Sequence, residues 1–272
     1  DAHSKTPSPI SAMLSGILLN VAFAVLLRVK AIADAAIGSH TWTGTIFLVF
    51  GLLSIVLPAF IMLVQKNYKR MLAYSSIEHM GLMAFAVGLG PVGTLAAMIH
   101  MAGHAFAKPA LFVAAGEILH EYRTTRIADV RGVLERRKKT GALFFVALLA
   151  LLGAPPSALF VSEFLMAGYG MTVRPILTLV VLALLVLVGF GMMRSAVEML
   201  FSAETDAATR DVHAAAHDHK DEKPQPDAIK AEPWNAATLA VLTNVVLCAA
   251  LGVVILTGPG FRFFQILSQS LS

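Results

Sequence analysis

Apolar residues run along this chain in seven long blocks, near 10–32, 42–64, 71–89, 93–119, 141–170, 175–201 and 236–258, each bounded by charges, Gly or Pro. Crossing ~30 Å of hydrocarbon takes about 20 helical residues, so every block is of spanning length. None alternates apolar and polar positions with the period of two that a barrel strand needs, and a lipid-embedded backbone must satisfy its own hydrogen bonds. The pattern predicts an all-α, polytopic membrane bundle of about seven transmembrane helices. Six spans fall within 1–201, a polar loop fills 202–233, and 234–272 holds the last span and a tail. The tail, Phe261-Arg262-Phe263-Phe264-Gln265-Ile266-Leu267, is short and amphipathic, which predicts an interfacial position.

Two breakers lie inside spans. Gly153-Ala154-Pro155-Pro156 interrupts the fifth block and Pro109 the fourth. Proline removes an amide donor and clashes with the preceding turn, so each site predicts a kink or a break. Two readings are open: a tolerated kink, or a broken helix with freed carbonyls facing a polar cavity.

Basic residues set the orientation. Lys66, Lys69 and Arg70 fall in loop 65–70, and Arg123, Arg126, Arg131, Arg136, Arg137, Lys138 and Lys139 in loop 120–140, whereas loop 90–93 has none and loop 171–174 only Arg174. The rich loops are expected to be cytoplasmic, together with the N-terminus and the 202–233 loop. Arg28 and Lys30, at the far end of the first span, argue mildly against it.

Composition agrees with the block pattern: 57% of residues are hydrophobic and 14% charged, and the mean hydropathy is +0.74. A water-soluble domain carries roughly 25% charged residues. The net charge of +4 comes from short loops rather than an aromatic-interleaved surface, so no nucleic-acid partner is expected. The one cysteine, Cys248, sits in an apolar run and builds neither a disulfide nor a thiolate metal site. There is no Gly-rich strand–turn–helix fingerprint and no iron–sulfur cysteine pattern, so no cofactor is expected. His213, His217 and His219 lie in the polar loop; zinc or nickel ligation and a solvated linker are both open, and the low-complexity setting favours the linker, so no metal site is assigned. The start at Asp1-Ala2-His3-Ser4-Lys5, without initiator Met or leader pattern, is expected of a piece that begins within a longer chain.

The candidate chemistry is ionisable groups inside the spans. His100, His104 and Lys108 follow one another at i, i+4 and i+8, on one helix face. A charge at mid-membrane costs at least ~2.5–3.5 kcal/mol, which makes a stripe of three hard to explain as packing. Imidazoles exchange protons near neutral pH and a desolvated amine can give up its charge, so the stripe predicts a proton relay. Glu163 stands in the otherwise apolar stretch after the Pro155-Pro156 interruption. A carboxyl there is neutral, paired with Lys108 or the histidines, or at the headgroups. Glu78 and His79, in the third span, fit either the cytoplasmic mouth of the relay or a headgroup position. Arg194 and Glu198, at i and i+4, are expected to neutralise each other, and Asn20 can hold a water without storing a proton.

At these residues the sequence resembles the antiporter-like membrane subunits shared by NADH:quinone oxidoreductase, membrane-bound hydrogenases and multisubunit Na+/H+ antiporters. The resemblance rests on Asp1-Ala2-His3-Ser4, Ser15-Gly16-Ile17-Leu18-Leu19, Lys69-Arg70-Met71-Leu72-Ala73-Tyr74-Ser75-Ser76-Ile77 with His79-Met80-Gly81, His104-Ala105-Phe106-Ala107-Lys108 and Phe160-Val161-Ser162-Glu163-Phe164, in family order over residues 1 to about 200. It implies spans eight to fourteen of a fourteen-helix fold, including the second inverted repeat. It further implies that Lys108 and the histidines form the relay of the second half-channel, that Glu163 is its terminal titratable group, and that Gly153, Pro155 and Pro156 break the twelfth helix. Where respiratory subunits read Leu-Leu-Lys, this chain has Leu18-Leu19-Asn20. With Pro7-Ser8-Pro9-Ile10-Ser11 and the Glu78-His79 pair, this looks most like the hydrogenase-4 component F branch. By resemblance the chain would be a non-redox subunit in the cytoplasmic membrane of a prokaryote. It would move protons, or Na+, in a complex with other membrane and peripheral subunits that carry the redox chemistry. A Na+/H+ antiporter without a redox partner, or a non-conducting scaffold, are the alternatives.

Overall fold

A computed structural model describes residues 6–202 and 232–269. Asp1 to Ser4, His213, His217, His219 and most of the predicted polar loop lie outside the described residues. Nine helices of at least 12 residues dominate the described chain: α1 (Ser8–Ile37), α2 (Thr41–Leu63), α3 (Tyr68–Leu89), α4 (Pro91–Tyr122), α5 (Lys138–Leu151), α6 (Ala158–Val173), α7 (Pro175–Phe201), α8 (Ala236–Leu256) and α9 (Gly258–Gln269). The described residues hold no strand beyond one isolated bridge, Asn67 to Arg126. Five helices, α1, α2, α3, α7 and α8, are each long and apolar enough to cross a membrane. The other two predicted spans are α4, 32 residues long and diluted by its polar stripe, and the pair α5–α6, each too short alone.

The arrangement is inside out with respect to water. Ile32, Leu57, Phe164, Ile176 and Val186 are each more than 60% exposed, while His100, His104 and Lys108 are fully buried. Such an apolar surface is stable only against lipid or other subunits.

α4 is the axis of the bundle, touched by α1, α3, α5, α6, α8 and α9. Pro109 leaves it continuous from Pro91 to Tyr122, so of the two interruptions only the fifth block breaks. Pro109 packs instead on Gly16, within a π-helical stretch of α1 (Leu14–Leu18) where a Cβ would collide with the proline ring. The break has a local cause. α5 ends with Gly153 in the left-handed region (φ 71°), Pro155 and Pro156 cannot continue a helix, and Ser157 starts α6 by accepting a hydrogen bond from the Phe160 amide (3.2 Å). α8 closes over this loop at Gly252, where a Cβ would lie 2.7 Å from the Ser157 carbonyl carbon.

α2 and α3 approach through glycines. A Cβ on Gly51 would come within 2.8 Å of the Gly81 carbonyl oxygen, one on Gly81 equally close to that of Gly51, and one on Gly88 within 2.8 Å of that of Gly44. Small residues let backbones meet where lipid removes the hydrophobic drive for association. Gly81→Val is therefore expected to destabilise the bundle by about 1–3 kcal/mol through overpacking, read as a lower Tm in detergent.

The basic end is tied by ion pairs. Arg131 donates to the Glu198 carboxylate (2.5 Å), to the Glu198 carbonyl (3.2 Å) and to Ser202 Oγ (3.1 Å). Glu198 thus pairs with Arg131 of the loop and not with Arg194, whose side chain is exposed. Glu232 caps α5 by accepting from the Lys139 and Thr140 amides (2.7 and 3.2 Å), and Arg137 joins Glu117 (3.0 Å) to Glu232 (3.4 Å). At the other end, Asp34 accepts from Lys30 (2.5 Å), Thr43 and His40, so Lys30 adds no net charge there. The tail forms α9, packed on α4 and α8, with Phe263 and Ile266 exposed.

Candidate functional site

The polar residues of α3, α4 and α6 form one layer between two apolar clusters. Towards the basic end lie Met71 and Leu72 of α3, Ala107 and Leu111 of α4 and Leu159 of α6; beyond the layer lie Leu82, Met83, Ala96, Ala97 and Met166. On α3 the polar positions are 75 to 79, on α4 100 to 108, and on α6 162 and 163. Each set sits where one cluster gives way to the other. Among the described residues, this is where ionisable groups from three helices converge.

His79 and His100 are its centre. His79 Nδ1 and His100 Nε2 are 2.9 Å apart and share a hydrogen bond, and His100 Nδ1 is bonded to Ser162 Oγ at 2.9 Å. Ser162 itself donates to the Leu159 carbonyl at 2.8 Å, which holds the hydroxyl in place. The remaining His79 nitrogen, Nε2, lies 3.5 Å from Glu78 Oε2. Glu78 and His79 are 1% and 3% exposed, so both side chains are enclosed by protein. Glu78 Oε1 has no hydrogen-bond partner.

His104 lies against His79, the ring centroids 5.5 Å apart and the planes tilted by 55°, and neither of its buried ring nitrogens has a protein partner. One turn further along α4, the Lys108 ammonium donates to the Leu72 carbonyl (3.1 Å) and to Ser75 Oγ. From His100 to Lys108 the stripe extends about 12 Å at 1.5 Å per residue. Ser75 and Glu78 are one turn apart on α3, so the ammonium anchors on the face that also presents Glu78.

Glu163 is half-buried at the edge of the layer, facing His79 and His100 rather than Lys108. One ligand atom from each of His79, His100 and Glu163 lies within 4.8 Å of the other two. Its carboxylate also abuts Gly153, where a Cβ would overlap it, so the break and the carboxyl share one contact. Asn20 reaches the same region from α1, donating to the Gly16 and Met101 carbonyls (2.8 and 3.0 Å) and leaving buried Oδ1 without a partner.

Ser75 and Ser162, which anchor Lys108 and His100, have no role in the sequence reading. The available signal was a small hydroxyl residue next to an ionisable one inside an apolar run, and serine in a membrane helix is common enough to be silent.

Residues 1–190 match the family described as NADH:quinone oxidoreductase/Mrp antiporter, transmembrane. The chain belongs to this family. Over 179 residues, 65% of the chain, it is 39% identical to the hydrogenase-4 component F homolog of Methylacidiphilum infernorum (isolate V4) and covers 37% of that relative. Two solved structures share the fold. A chain of the Mrp complex from Dietzia sp. DQ12-45-1b is matched at TM-score 0.78 and 21% identity, over 99% of this chain and 54% of that one. A chain of respiratory complex I from Thermus thermophilus with bound NADH is matched at TM-score 0.76 and 20% identity, over 97% and 51%. The protein therefore spans between a third and about half of the length of these antiporter-family relatives. Both structural neighbours are chains of membrane complexes, and this chain shares their helical fold.

Proposed function

We propose that this chain conducts protons as one membrane subunit of a multisubunit respiratory or hydrogenase-type complex, driven by redox chemistry in partner subunits. It would lie in the cytoplasmic membrane of a prokaryote, with loops 65–70 and 120–140 on the cytoplasmic side. The observation that carries the reading is the buried hydrogen-bonded run from His79 through His100 to Ser162.

An imidazole takes a proton on one ring nitrogen and releases one from the other. A proton delivered to His79 at Nε2, beside Glu78, lets Nδ1 release its own to His100 Nε2, and His100 Nδ1 then offers one at Ser162. Lys108 is the reservoir at the basic side of the layer: protonated, it donates to Ser75 and Leu72; deprotonated, it leaves the layer one positive charge poorer. In so dry a setting Glu78, His79 and His104 feel that change strongly. His104, with two unpartnered nitrogens between Lys108 and His100, is the position for an internal water that joins them. Glu163, at the edge of the layer and against the helix break, is the terminal group that exchanges with the outside.

The likeness to the Mrp complex supports a second reading, exchange of Na+ for protons without a redox partner. Hard cations take oxygen ligands, whereas three imidazoles and an amine dominate here, and this favours the proton. A non-conducting scaffold would hold the same buried charges at a cost of ~2.5–3.5 kcal/mol each without use.

The test is His100→Ala in the assembled complex, reconstituted in proteoliposomes. Protons moved per electron are expected to fall by roughly a hundredfold, the low end of what a positioned proton-transfer group contributes, while the partner subunits keep their redox centres. Undiminished pumping overturns the reading, and redox-independent uptake of radioactive sodium selects the antiporter.

A further inference from the structure

The two central imidazoles are set up as metal ligands as well as proton carriers. His79 Nδ1 and His100 Nε2 aim their lone pairs at one shared proton, 2.9 Å apart. Their other nitrogens are already engaged: His79 Nε2 by the Glu78 carboxylate at 3.5 Å, His100 Nδ1 by Ser162 Oγ at 2.9 Å. A histidine oriented by a carboxylate or hydroxyl behind it is the usual outer arrangement of a zinc ligand. The third donor is Glu163, whose carboxylate has no hydrogen-bond partner among the described residues and an oxygen of which falls within 4.8 Å of one ring nitrogen of each histidine. Tetrahedral zinc with ligands at about 2.0–2.1 Å separates them by about 3.3 Å, so the imidazoles part by a few tenths of an ångström and the glutamate swings in.

We propose that His79, His100 and Glu163 form a binding site for a divalent transition metal, zinc above all, in which the ion replaces the proton shared by the two histidines. Imidazole and carboxylate suit zinc rather than magnesium or calcium, which take oxygen only. Two carboxylates, Glu163 directly and Glu78 behind His79, offset the ion's charge. Glu163 is the least buried of the three and therefore marks the side of access. With the shared proton replaced, the run from His79 to Ser162 is cut, so bound zinc stops translocation; this consequence rests on the relay reading above, whereas the site itself does not.

The experiment uses zinc chloride alone on the purified complex, in a background of His213→Ala, His217→Ala and His219→Ala that removes the loop histidines. One zinc per copy of this chain is expected, with X-ray absorption of the otherwise unaltered site giving two imidazoles and an oxygen ligand. Glu163→Gln and His79→Ala should each weaken binding by more than about tenfold, the lower bound for loss of an outer partner. No retained zinc, a spectrum without two imidazoles, or equal affinity in Glu163→Gln overturns the site. The spectrum decides even if His79→Ala does not assemble. Zinc bound at these ligands with proton movement undisturbed keeps the site and overturns the relay; loss of pumping in His100→Ala, with no zinc retained by the complex that keeps His79, His100 and Glu163, keeps the relay and overturns the site.

Discussion

Lys108→Met should leave a complex that assembles at least as well as the parent and does not pump. The Lys108 side chain is fully buried and its ammonium is held by one backbone carbonyl and one hydroxyl, with no direct carboxylate contact. Holding a charge in such a place is expensive, and replacing buried ionic groups by apolar ones of similar volume is neutral or stabilising by about 1–4 kcal/mol. Methionine follows the same path. Ser75 still donates to the Leu72 carbonyl at 3.0 Å, so no new orphan is created on α3. Proton movement, by contrast, loses the group that stores charge on the basic side, and a fall of roughly a hundredfold is expected. Thermal unfolding and proton uptake on one preparation check both halves. A clear drop in Tm with intact pumping would falsify the assignment of Lys108 to the relay and make it structural.

Gly153→Ala should damage stability and transport together. Gly153 has a φ of 71°, a left-handed conformation that costs a residue with a Cβ about 1–2 kcal/mol. The added methyl would also overlap the Glu163 carboxylate, so either the loop between α5 and α6 shifts or the glutamate turns away from His79 and His100. The result expected is a lower Tm together with a change in translocation that Ala154→Gly, one residue along, does not reproduce. If Gly153→Ala lowers Tm and leaves translocation per electron intact, the contact between break and carboxylate is packing only.

Much of this protein is written locally. Apolar run length and the absence of a period of two determine a helical membrane bundle, because lipid accepts no other open backbone. The spacing of His100, His104 and Lys108 determines one face of α4, because helix periodicity does not depend on neighbours. Gly153, Pro155 and Pro156 determine where the fifth run stops, because φ and the missing amides are properties of those residues. Pro109 shows the limit of local reading, since the same residue type inside α4 packs on Gly16 and leaves the helix whole.

Partner choice was decided by the tertiary structure alone. His79 meets His100 across 21 residues and His100 meets Ser162 across 62, and neither spacing carries a signal. Glu163 faces the two histidines instead of Lys108, and Glu198 takes Arg131 instead of Arg194, because helix packing sets which side chains come within reach. The ionisable stripe was legible in the sequence; the three-helix layer that gives it hydrogen-bond partners, and with them two imidazoles and a carboxylate at metal-ligand range, exists only once α3, α4 and α6 pack together.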